Sequence, residues 1–199
     1  EIEKMTDQKS KDIKDKMESV VKQSKSLQKQ VEDMQKKMVD KKEVGWQEKQ
    51  TLKQLLNKQK SLQEQVQQLD KENKEKSLQQ NQYQELSPEI IEKQKQLEEL
   101  FNKVMTDELK AMYDELQRML ENIDKDKVSE MLEKMKSDSK NLEKELDRNL
   151  ELFRQLEVEQ KLQQAIDKLD KLADEQQKLS GETKDATKEN LNKLHQKQQ

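Results

Sequence analysis

The sequence predicts an all-α protein: an elongated antiparallel helical hairpin, or coiled coil, joined to a bundle of long helices. Three observations carry that expectation. Apolar residues recur at alternating spacings of three and four over much of Ile13 to Tyr83, the interval at which a helix offers one narrow seam to another helix. Only two Gly and one Pro interrupt the chain, so long helices meet few breakers. Charged residues make up 42% and hydrophobic ones 29%, too little interior for a compact body of this length; slender helices with wetted surfaces remain. Scarce β-branched and aromatic residues disfavour a sheet core.

In the first stripe, with Met17 at position a, the seam passes through Val20, Leu27, Val31, Met34 and Met38 and resumes with Leu52, Leu55, Leu62, Val66 and Leu69. Ser24, Gln59, Asn73 and Lys76 are polar residues on seam positions, as are Lys41, Gly45 and Glu48 in the middle. Lys41 and Lys42 before Gly45 read as a helix end. Residues 1–85 are therefore expected to form a helical hairpin with its turn near 43–47. A straight rod is the competing reading. It would hold Met17 and Asn73 about 84 Å apart at 1.5 Å per residue, against about 10 Å in the hairpin. The antiparallel pairing is open between a centre near 43 and one near 46–47.

The stretch from Lys71 to Glu85 loses apolar residues, and fraying is expected there. Ser87-Pro88-Glu89 then supplies an N-cap, a proline at the first helical position and an acid in the first turn. Ile90, Leu97, Phe101 and Val104 follow at helical spacing. Thr106-Asp107-Glu108 reads as a second cap or a kink, before Leu109, Met112, Tyr113, Leu116, Leu120 and Ile123. Asn122 to Lys127 is a polar turn capped by Asp124 or Asp126. A long helix is expected from Val128 to about Leu179, carrying Met131, Leu142, Leu146, Phe153, Leu156, Leu162, Ile166, Leu169 and Leu172 as its buried stripe. Its spacing slips between Leu156 and Leu162, a stutter. Residues 88–180 thus form the expected long-helix bundle. Ser180-Gly181 reads as a break, and 181–199, with only Ala186, Leu191 and Leu194 to bury, as a weakly ordered helical tail. Glu1 in place of Met and the polar ending Thr187 to Gln199 read as cuts in a longer chain.

Most chemistries find no support. The net charge is −3 with both signs interleaved, not the basic stripe that nucleic acid needs. No apolar run approaches the ~20 residues of a membrane span, no signal peptide is visible, and the absence of Cys removes thiolate metal sites. His195 is the only histidine, too few for a triad or a His-based metal site. Gly45 and Gly181 stand alone, so no phosphate loop is present. The carboxylates alternate with Lys as surface i,i+4 partners. No cofactor, metal or catalytic residue is expected.

Two places suggest contacts with protein. From Glu145 to Gln160 there is no Lys, yet the window holds two of the three Arg. Arg148, Leu152, Phe153, Arg154 and Leu156 make an apolar face edged by guanidinium groups, suited to forked carboxylate pairing. This helix is either sandwiched within the chain or offers a docking face to a partner or a second copy. Gly45 and Trp46 mark the hairpin tip, where Trp46 either makes contacts or staples the turn. The nine Met read as filler for imperfectly matched helix layers.

The run from Leu142 to Leu162, LEKELDRNLELFRQLEVEQKL, resembles a segment of a bacterial family of large, membrane-anchored coiled-coil proteins of unknown function, some labelled as ATPases. Gly45-Trp46 and Ser87-Pro88-Glu89-Ile90 resemble the same family in the same order. The resemblance implies a place in the bacterial cell envelope, with anchoring by other parts of a parent chain, and no catalytic residues carry over. The function expected is a noncatalytic structural or scaffolding segment that spaces or docks proteins, with a protein partner or self-association and no nucleic acid. The alternative is the arm or regulatory coil of a nucleotide-driven machine whose motor lies outside this chain.

Overall fold

The computed structural model describes the backbone of residues 2–83, 85–104 and 107–197, and their side chains except at 2–5, 104, 107–110, 112, 121 and 185–197. The described residues contain no strand. They form α1 (Ile2–Val39), α2 (Trp46–Tyr83), α3 (Pro88–Val104), α4 (Asp107–Met119) and α5 (Lys125–Lys197), with a 3₁₀ turn at Leu120–Asn122 between the last two. The expected cap at Thr106 lies outside the described residues, as do the side chains of His195, Ala186, Leu191 and Leu194.

Helix starts follow local chemistry. At α3 the Ser87 hydroxyl accepts the Ile90 amide at 3.4 Å and the Ser87 carbonyl accepts the Ile91 amide at 3.2 Å, with Pro88 in the first turn. At α5 Asp124, rather than Asp126, is the cap: its carboxylate accepts the Lys127 amide at 2.8 Å and its carbonyl the Val128 amide at 3.0 Å. Gly45 has a different place from the one expected. It does not adopt a positive φ to close α1; its carbonyl accepts the Lys49 amide at 3.1 Å, so it is the N-cap of α2. The loop between the helices is 40–45.

Residues 1–157 form one unit. Helices α1 and α2 run antiparallel, joined by Lys9–Gln79 (3.0 Å), Lys16–Glu72 (2.7 Å), Gln23–Gln65 (3.1 Å) and Lys58–Gln30 (2.6 Å). All four pairs share a midpoint at Val44, which fixes the register. α3 and α4 follow one another antiparallel along α2, through Lys74–Glu98 at 3.2 Å and Lys60–Asp114 at 3.3 Å. The α5 segment of this unit returns antiparallel to α1, through Lys136–Glu32 (3.5 Å), Lys25–Glu143 (3.6 Å) and Arg154–Glu18 (3.0 Å). The result is an up-down-up-down bundle whose third staff is made of two helices. These exposed pairs report the alignment without enforcing it; burial of Met17, Val31, Leu52, Val66, Leu97, Val128, Leu132, Met135 and Leu146 supplies the stability.

One polar layer joins three helices. Ser24, Gln59 and Ser139 are all buried. The Ser24 hydroxyl donates to the Ser139 carbonyl, and the Ser139 hydroxyl to Gln59 Oε1, each at 3.3 Å. Apolar neighbours slide at small cost, whereas a satisfied buried hydrogen bond holds at one register only.

Helices α3 and α4 pack on α2, and α5 packs on α1, so elements that follow residue 85 complete the bundle begun by α1 and α2. Two expectations are corrected. α2 does not fray after Lys71 but continues to Tyr83 with Asn73, Lys76 and Gln80 buried; α3 covers this stretch, as the Gln94–Gln80 bond at 3.5 Å shows. Ser180-Gly181 does not break α5, since one exposed glycine costs a helix only about 1 kcal/mol relative to alanine and no proline accompanies it.

The second unit is Val158–Gln199, within which α5 runs to Lys197. Here the expected buried stripe is exposed: Leu162, Leu169, Leu172 and Leu179 keep 60%, 65%, 60% and 62% of their surface. The unit holds a single helix, so nothing within it covers the stripe. The spacing also changes phase at the stutter: continued from Leu146, Phe153 and Leu156, the heptad positions fall on Gln163, Asp167, Asp170 and Asp174, whereas Leu169 and Leu172 stand two positions after Asp167 and Asp170.

Two substitutions separate satisfied from unsatisfied polar burial. Ser139→Ala is expected to lower unfolding free energy by about 1–2 kcal/mol, because it leaves the Gln59 amide without its donor. Asn149 is fully buried and neither of its amide atoms finds a hydrogen-bond partner among the described residues. Asn149→Leu is expected to raise stability by about 1–3 kcal/mol. Urea unfolding followed by circular dichroism measures both.

Candidate docking surfaces

The loop between α1 and α2 is tied from both sides. Glu48, in the first turn of α2, reaches back so that its carboxylate accepts from the Lys41 ammonium and from the Gly45 amide, a capping-box arrangement with glycine at the cap. The Lys41 bond, helped by Glu48's own amide, holds this carboxyl below its ordinary value of 4.5 against the opposing effect of burial. Glycine lets the carboxylate lie close to the backbone: a Cβ at Gly45 would stand 2.7 Å from Glu48 Oε2, and the flexible Glu48 side chain would have to shift to admit it. Val44 packs on the core, while Trp46, the first residue of α2, keeps 75% of its surface exposed. Trp46 is therefore not a staple within the chain. It is a large indole held in water by a fixed backbone.

Below this tip an open groove of about 470 Å³ lies between α1 and α5, lined by the buried Met38 and Leu132, the exposed Val39, and the charged Lys36, Glu133 and Lys136. The Lys125 ammonium donates to the Val39 carbonyl at 3.2 Å, closing the exposed end of α1. Such mixed, solvated charges suit a contact surface better than a reaction site, which needs a dry enclosure.

The five residues of the Arg-edged face are divided by the fold. Phe153 and Leu156 are buried in the core of the first unit, Leu152 is partly buried against it, and Arg148 and Arg154 stay at the surface. Arg154 binds Glu18 of α1 at 3.0 Å, and Arg148 binds Glu145 one turn earlier at 2.8 Å. The ammonium of buried Lys76 lies 4.7 Å from the centre of the Phe153 ring, a cation–π contact inside the bundle. The apolar anchors are thus buried inside the bundle, Phe153 against Lys76 of α2, with Arg154 at the edge reaching α1; Phe153 and Leu156 are not available as a docking surface.

One pairing escaped sequence reasoning. Tyr113 of α4 is buried and its hydroxyl donates to Asp138 of α5 at 3.0 Å. Burial pushes the Asp138 carboxyl above its ordinary range, with Tyr113 and Lys134 opposing, and burial likewise raises the phenol. A tyrosine on an apolar stripe signals a need for an acceptor, but which of many acids serves depends on interhelix register.

Among the described residues no group of three or more His, Asp or Glu is placed to hold a metal ion, and no helix is long and apolar enough to cross a membrane. Compared with protein-family models, curated proteins and solved structures, the chain matches none.

Two outcomes follow. Phe153→Ala should cost about 3–5 kcal/mol in a denaturant titration, by cavity formation, while sedimentation shows the oligomeric state unchanged. For Glu48, a depressed folded pKa stabilises above the unfolded value and is lost as pH falls from 4.5 through the folded one. The melting temperature of Glu48→Gln should thus lie below that of the parent at pH 7, and the gap should close in acid.

Proposed function

We propose that this chain is a noncatalytic helical spacer and docking segment of a membrane-anchored bacterial envelope protein, offering its Gly45–Trp46 tip to a protein partner. The observation that carries the reading is the exposure of Trp46 on a backbone fixed by Gly45, Glu48 and Lys41. Tryptophan is the residue most often found as an energetic anchor of interfaces, and a prearranged anchor loses little freedom on binding. Helices α1 and α2, 38 residues each, hold that anchor about 57 Å from their far ends at 1.5 Å per residue. Spacing is thus the mechanism: a stiff bundle keeps a contact point at a set distance from whatever anchors the rest of the protein.

The envelope setting rests on the resemblance of residues 142–162, of Gly45-Trp46 and of Ser87–Ile90 to the membrane-anchored bacterial family. Anchoring belongs to other parts of the parent protein. Interleaved charge with a net of −3 favours a protein partner over nucleic acid.

The test is photo-crosslinking in the native bacterium from an unnatural residue at position 46, with position 78 as an exposed control elsewhere on α2. A discrete adduct with one envelope protein from position 46 alone is expected, and Trp46→Ala should weaken binding of that protein about 30-fold or more, the loss of an anchor worth roughly 2 kcal/mol. The melting temperature should not change. Equal labelling from both positions would overturn the reading.

A further inference from the structure

The second unit carries an apolar seam that nothing in its own unit covers. Val158, Leu162, Leu169, Leu172 and Leu179 each keep 60% or more of their surface, and Ile166 keeps 44%. The positions 158, 162, 165, 169, 172, 176, 179 and 183 alternate in steps of four and three, which is the coiled-coil interval. We infer that this seam is a self-association surface, on which a second copy of the chain lies antiparallel, centred between Asp170 and Lys171.

The direction and register come from what flanks the seam. Let Leu162, Leu169 and Gln176 be a positions and Val158, Ala165, Leu172 and Leu179 d positions. An antiparallel pair then stacks a on d, and the centre named above matches Leu162 with Leu179, Leu169 with Leu172, and Ala165 with Gln176. Large residues meet large ones, and the one long polar side chain meets the one small residue. In the same register the g positions face each other: Lys161 meets Glu182 and Lys168 meets Glu175 of the second copy. At the e positions Ile166 meets Ala173, extending the apolar contact. By symmetry every match occurs twice, giving four ion pairs of opposite sign and none of like sign among these g positions.

A parallel pair has no such agreement. It sets Lys161 against Ile166 and Lys168 against Ala173, leaving the lysines over apolar groups and Gln176 against itself. Lys161 and Lys168 already interact within their own chain, so the interchain pairs select direction rather than supply most of the affinity. The contact length, about 38 Å at 1.5 Å per residue, suits an association that depends on concentration. This inference goes beyond the spacer reading and does not depend on it: dimerisation involves the second unit, whereas the proposed partner binds at Trp46.

The experiment uses the full chain, whose lack of Cys allows clean thiol placement. Leu162→Cys and Leu179→Cys are prepared separately, then mixed and gently oxidised. Disulfide-linked dimers are expected from the mixture, joining one variant to the other, and not from either alone. In the proposed pair equivalent residues 162 stand about 25 Å apart along the axis at 1.5 Å per residue, far beyond disulfide reach. Sedimentation equilibrium of the parent should show a monomer–dimer equilibrium, weakened about 100-fold or more by Leu169→Asp, which buries a carboxylate in two layers. Reversing Lys161 and Lys168 to Glu should weaken it, and adding Glu175→Lys with Glu182→Lys should restore it. Circular dichroism confirms that each variant keeps its helices. A parent that stays monomeric at several hundred micromolar, self-crosslinking of either single variant, or charge reversal without rescue would overturn the inference.

Discussion

The first unit depends on one constraint: helices α1, α2 and α5 must share a seam in a single register, and the Ser24–Gln59–Ser139 layer fixes that register. With hydrophobic residues at only 29% of the chain, each buried layer carries a large share of the stability, so a slipped layer is poorly compensated elsewhere. Dispersion and desolvation favour any close apolar packing. The hydroxyl and amide groups accept one. The long salt bridges along the surface then follow from alignment already decided inside.

The helical nature of the chain was legible because periodicity and the near absence of Gly and Pro both point the same way. Caps with unambiguous chemistry, Ser87 and Asp124, could be placed to the residue or to one of two. Gly45 was recognised as a boundary but assigned to the wrong helix, since a glycine between two helices can serve either; the reach of Glu48 decides it, and that depends on rotamer and loop path. Partnering between helices was less legible. The seam of α1 and α2 could be seen, but not that α3, α4 and α5 cover its remaining faces, because a stripe shows that a residue needs burial without saying by what. Lys76, Asn73 and Gln80 misled for the same reason: polar side chains read as fraying until a neighbouring helix is known to cover them.

The surfaces proposed for contact were legible to different degrees. Trp46 could be named as a tip residue, while its exposure required knowing that Val44, rather than the indole, turns inward. The Arg-edged face around Phe153 shows the reverse. Its composition marked it as unusual, and the fold gives the cause as a helix with neighbours on more than one side. The stutter after Leu156 was visible as an irregularity of spacing; its meaning, a change from one stripe to another, emerged only when Leu162, Leu169 and Leu172 proved to be in water.

The three-helix hydroxyl–amide layer also limits how such a bundle changes length. An insertion of one or two residues on one side of Ser24 would rotate everything beyond it out of phase with Gln59 and Ser139. Only whole seven-residue steps, made in every staff of the bundle and on the same side of the layer, keep the residues beyond it in phase with one another. Longer or shorter versions of this bundle should therefore differ by matched heptads, which makes its reach adjustable in increments of about 10 Å at 1.5 Å per residue.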